Sequence, residues 1–204
     1  MKKIPLAILI ALLLTLTACS FTRPLSDNSP HIGPMQLTPD QQEILDLVQN
    51  HNSETFLFEF QKPETATLSE FWIDVYSYGQ FVERVGGLSM ISNPYVNYAE
   101  NRLIVSIEQS HEKMRWSMAV AQNGSRASHG WVSFQMSQSP LANARGAITE
   151  SVAIQDGVEI ILHSTIFSHG SLSTFGDKQM YLEHPELLTE YPYVFFIKAK
   201  FSTQ

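Results

Sequence analysis

The feature that most restricts the fold is a change of side-chain polarity at every second residue, repeated along most of the chain and interrupted by turn dipeptides. Phe56, Phe58 and Phe60 alternate with Leu57 and Glu59, and Phe71, Ile73 and Val75 alternate with Glu70, Trp72, Asp74 and Tyr76. A period of two sends neighbouring side chains to opposite faces of an extended strand, so each run has one face to bury. Tyr78-Gly79 supplies a tight turn from the strand at 68–77 into 80–90, where Gly86-Gly87 predicts a bulge. Asn123-Gly124, between 114–121 and 128–136, is the strongest hairpin signal in the chain. Asp156-Gly157 reads as a similar joint between 152–155 and 158–167, and runs at 102–108 and 193–201 complete eight or nine strands.

Helical signals are fewer. Thr38 can cap, Pro39 takes the first helical position and Gln41 completes a capping box, with Ile44, Leu45, Leu47 and Val48 forming an apolar face expected to pack on a sheet. Short helices are expected over 174–183 and 185–190. The fold class is therefore mainly β: an antiparallel β-sandwich of about eight strands with one N-terminal helix and short C-terminal helices. A closed β-barrel has the same local pattern and is the alternative.

The first twenty residues belong to a different regime. Met1-Lys2-Lys3 precedes an apolar run from Ile4 to Leu16 without charge, which is the form of an export signal. That run is 13 residues, whereas a helix spanning a bilayer needs about 20, so a permanent membrane span fits less well. It ends in Leu16-Thr17-Ala18-Cys19, which resembles the lipobox of bacterial lipoproteins. The resemblance implies cleavage before Cys19, a diacylglycerol and often a third acyl chain, a palmitate among them, on that cysteine, and a membrane anchor. Two or more chains anchor a protein stably where one does so only marginally. It also implies a place in the cell envelope outside the cytoplasm: the outer membrane if the host has two membranes, since Ser20 stands where some inner-membrane lipoproteins carry Asp, and otherwise the outer face of the cell membrane. Cys19 is the single cysteine of the chain, so no intrachain disulfide can form.

Residues 20–36 contain three prolines and little periodic apolar content, and read as a tether. The expected division is a signal peptide at 1–18, a lipidated cysteine and flexible tether at 19–36, and a single β-rich domain at 37–204. Loss of Lys2 and Lys3 with the signal leaves 11 of the 13 basic residues against 20 acidic ones, a formal charge of −9. Such a domain, with no Lys/Arg cluster, argues against nucleic acid and against docking on anionic lipid through a basic patch.

Chemistry-bearing spacings are sparse. The seven histidines form neither a His-x-His nor a His-x3-His pair, so no metal ligands are assigned and no cofactor is expected. The segment His163 to Thr174 concentrates hydroxyls and imidazoles, making His163, Ser168, His169 and Ser171 the ligand-site residues to inspect. It lacks the Gly-x-Ser-x-Gly elbow of a serine hydrolase, and no catalytic residue is assigned. Glu70 and Asp74, about 13 Å apart along one strand, are expected to be solvated outward charges. Trp72, Tyr76, Trp116 and Trp131 fall on strands, where packing is the default and an exposed aromatic strip is the alternative. The expected function is that of a lipid-anchored envelope protein whose noncatalytic β domain binds a protein or another envelope component. A small-ligand module for metal, lipid or sugar is the second reading and a hydrolase the third.

Overall fold

The computed structural model describes residues 29–49, 52–91, 101–122, 124–137, 142–170, 172 and 178–203. Two antiparallel sheets face each other as a sandwich, and they do not close into a barrel. The first sheet has the order β7-β6-β5-β2-β1-β9: Ser125–Gln135, Lys113–Gln122, Asn101–Ser110, Ser53–Gln61, His31–Pro34 and Val152–Ala153. The second has the order β4-β3-β11-β10-β8: Gln80–Ile91, Leu68–Ser77, Tyr193–Ser202, Glu159–Ser168 and Ala142–Ala147. Inner faces meet in one aromatic-rich core, where Trp116 of β6 packs on Phe195 of β11 with ring centroids 5.1 Å apart.

Central strands of the second sheet are buried twice over. Ile161, Ile166, Val194 and Phe196 point away from the core, yet Tyr181 and Leu188 cover them. These two residues belong to α2 (Met180–Glu183) and to the single turn of 3-10 helix at Pro185–Leu188. That cover is why β11 reads as an almost continuous apolar run, whereas β6, covered on one face, alternates strictly.

Turn chemistry accounts for the hairpins. Tyr78 and Gly79 both have positive φ, 49° and 79°, as a two-residue turn between twisted strands requires. Gln122 pairs with Ser125, so only two positions separate β6 from β7. The expected bulge is present: pairing slips between Trp72 and Asp74 opposite Gly86, whose φ is 73°. A Cβ on Gly86 would lie 2.9 Å from Val132 Cγ2 of the facing sheet, so glycine there serves both the bulge and the close approach of β4 to β7. Gly86→Ala should therefore destabilise by about 1–3 kcal/mol, read as a lower denaturation midpoint with unchanged slope.

Several sequence expectations are corrected. His31–Pro34, assigned to the tether, is β1 and pairs with β2 and β9, so these residues belong to the folded body. Asp156-Gly157 is not a hairpin turn, since β9 lies in the first sheet and β10 in the second, and the dipeptide crosses between them. There are eleven strands among the described residues, because β1 and β8 lack apolar alternation. Helix α1 (Pro39–Val48) has the full capping box, with Thr38 N–H donating to Gln41 Oε1 at 3.0 Å and Gln41 N–H to Thr38 Oγ1 at 3.3 Å. Its apolar face does not pack on a sheet, however: Ile44 is 63% and Leu47 78% exposed. Of the expected helix over 174–183 only α2 is described, residues 174–177 lying outside the described set.

Candidate functional site

Of the residues singled out in the sequence, the described ones, His163, Ser168 and His169, do not converge. His163 points into the core from β10, its ring tilted against Phe56 of β2 with centroids 4.5 Å apart. Burial, reinforced by the positive charges of Arg145 and Lys178, pushes its imidazole down to about 3, so it is neutral at physiological pH. His169 is exposed beyond the end of the strand, and six residues of extended chain separate the two by about 20 Å. Ser168 Oγ accepts from Gly170 N–H at 3.0 Å, a local turn contact. Ser171 and Cys19 lie outside the described residues.

A cleft that the sequence did not announce opens between the sheets, at the edge formed by β8. Its volume is about 950 Å³, and its walls come from β2, β5, β6 and β7 on one side and from β8 on the other. Arg145 of β8 reaches across the gap: Nη1 lies 3.0 Å from Glu54 Oε1 of β2, and Nη2 donates to Gln109 Oε1 of β5. Its Nε–H is buried without a partner among the described residues. Register places Arg145 opposite Thr165 and Ala147 opposite His163, so Arg145, Thr165 and His163 share the inward face of this edge. Thr165 Oγ1 and His163 Nε2 are also buried without hydrogen bonds. The signal for this wall was the inverted alternation of β8, where Asn143 and Arg145 sit between Ala142, Ala144 and Gly146.

On the outer face of the second sheet, Asp74 is buried, contrary to the expectation of a solvated charge. Its Oδ2 lies 3.0 Å from Lys198 Nζ and its Oδ1 2.9 Å from Arg84 Nε. Lys198 also meets Glu159 Oε2 at 3.1 Å, and the Arg84 guanidinium lies over the Trp72 ring at 4.4 Å. Cross-strand pairing created this network: β3 brings Asp74 beside Phe196 of β11, two positions from Lys198 on the same face. Among the described residues no group of three His, Cys, Asp or Glu side chains could hold a metal ion, and no helix is long and apolar enough to cross a membrane.

Beside this network lies an apolar corner. Phe81 is 55% and Tyr78 51% exposed at the β3–β4 hairpin, and Val82 is the extra, exposed residue where pairing slips next to Tyr76. The hairpin tip sits against the 3-10 turn: Tyr78 N–H donates to Tyr191 O at 2.9 Å, and Gly79 abuts Thr189 and Pro185. Leu187, also exposed, belongs to the same turn. Trp72 and Trp116 are buried, whereas Trp131 is half-exposed beneath the Arg115 guanidinium, 4.9 Å from its centroid.

These features define a two-sheet antiparallel β-sandwich domain with a polar cleft between its sheets and an apolar corner outside them. A family model described as the YgaN domain matches residues 31–201, from the first residue of β1 into β11, and the chain belongs to that family. No curated protein and no solved structure matches it.

Proposed function

We propose that this is a lipid-anchored envelope protein whose β-sandwich is a noncatalytic module that docks a protein partner. Lys2 and Lys3, the short apolar run and Leu16-Thr17-Ala18-Cys19 support export and lipidation at Cys19, with the domain held outside the cytoplasm. In a host with two membranes the anchor is in the outer one; otherwise it is in the outer face of the cell membrane. The observation carrying the docking role is the corner of Tyr78, Phe81, Val82 and Leu187, whose large apolar side chains stay exposed although the core and the outer sheet face are both filled. Aromatic residues grouped on rigid elements are the usual anchors of a protein interface.

A photo-crosslinker at position 81 in intact cells should trap a discrete neighbouring protein. The same group at Glu59, exposed on the far sheet, should not. Phe81→Ser should weaken the captured interaction about tenfold or more. Identical adducts from both positions, or none from position 81, would contradict docking at this corner.

A further inference from the structure

We propose that the cleft around Arg145 binds a short, uncharged saccharide, at a site separate from the apolar corner. Among the described residues every one that lines the cleft is polar, which disfavours a lipid or other apolar ligand. The wall charges balance: Arg145 and Lys113 face Glu54 and Glu112. With Glu54 only 3.0 Å from the guanidinium, the cleft offers an anion no net positive field.

What it does offer is a mixture of donors and acceptors in fixed positions. Gln109, Gln135 and Asn143 each carry both functions in one planar amide, and Glu54 adds acceptor capacity beyond its ion pair. Two contacts across the gap hold Arg145 in place, while its buried Nε–H lacks an acceptor. A hydroxyl oxygen, which both accepts and donates, satisfies such a wall without bringing charge. A chain of sugar hydroxyls does so at several points together, and the cleft volume of about 950 Å³ admits an oligomer of a few units. Thr165 Oγ1 and His163 Nε2 lie buried behind Arg145 on the same face, without hydrogen bonds among the described residues and outside the cleft lining itself. Because His163 is neutral, that deeper region adds no charge.

The test is calorimetric or NMR titration of the full chain in mild detergent with trimers of glucose and of N-acetylglucosamine, alongside glutarate as an anion and tetra-alanine as a peptide. Saturable binding of a trimer is expected, weakened about tenfold by Asn143→Ala or Lys113→Ala at the open rim, where neither change disturbs the core. Phe81→Ser should leave this affinity unchanged, which separates failure of the cleft from failure of the corner. The proposal is overturned if neither trimer saturates, if both rim variants bind as the parent does, or if glutarate or tetra-alanine binds more tightly.

Discussion

Replacing Lys198 with methionine should cost the fold about 3–5 kcal/mol, because it leaves the Asp74 carboxylate buried with half of its compensation gone. The two side chains are only 3% and 4% exposed. Burial on its own would raise the Asp74 pKa, but the bonds from Arg84 and Lys198 prevail and hold it below the usual carboxylate range. Burial would likewise lower Lys198, and its contacts with Asp74, with Tyr76 and Glu159 adding to them, hold it above the usual lysine value instead. Asp74→Leu combined with Lys198→Met should recover much of the loss, since an apolar pair needs no compensation. Denaturant midpoints of the parent, the single variant and the pair decide this. A loss under about 1 kcal/mol for Lys198→Met would mean that solvent screens the network.

The signs of these shifts set the pH window. The depressed Asp74 contributes stability above its unfolded value of about 3.9, lost as pH falls through the still lower folded value. The raised Lys198 contributes below its unfolded value of about 10.4, lost as pH rises through the higher folded one. Between about pH 5 and 9 the contribution of the Asp74–Lys198 pair is therefore constant.

Mild acid instead exposes the second large effect, at His163. Its folded pKa is depressed from 6.5 to about 3, so below pH 6.5 the unfolded chain takes up a proton that the fold refuses. Burial causes most of this, and the charges of Arg145 and Lys178 oppose protonation further. Stability should fall by about 1.4 kcal/mol for each pH unit below 6.5, towards pH 3. In His163→Leu that component vanishes, so the stability difference between parent and variant should change steadily, in the variant's favour, as pH falls from 6.5 to 4. Parallel curves over that interval would mean that His163 is protonated in the fold.

Elements that obey a local rule were legible in the order of residues alone. The capping box of α1, the two-residue turn at Tyr78-Gly79 and the bulge at Gly86 each follow from a few adjacent residues. So did the mainly β antiparallel class, because alternating runs must bury one face, whereas alternation alone fits a barrel as well as the sandwich that the sheet order shows. Pairing between distant residues was not legible. Asp74 looks solvent-facing on β3 alone and becomes buried only when β11 places Lys198 beside it. The apolar face of α1 promised packing, but its periodicity could not say whether a sheet would cover Ile44 and Leu47. The cleft escaped for the same reason: Glu54, Gln109 and Arg145 stand far apart in sequence, and β8 consists of small and polar residues without an apolar face. His163 was legible as a residue of its strand, yet the charge that bears on it most is Arg145, and His169 lies well away.

The proposed anchoring rests on the chemistry at Cys19, and metabolic labelling with palmitate tests that most directly. Cells expressing the full chain should incorporate label into the protein and retain it in the membrane fraction, and Cys19→Ser should abolish both incorporation and processing before residue 19. Label that persists in Cys19→Ser, or a parent protein that takes up none, would contradict the lipid anchor and with it the placement of this sandwich at the envelope surface.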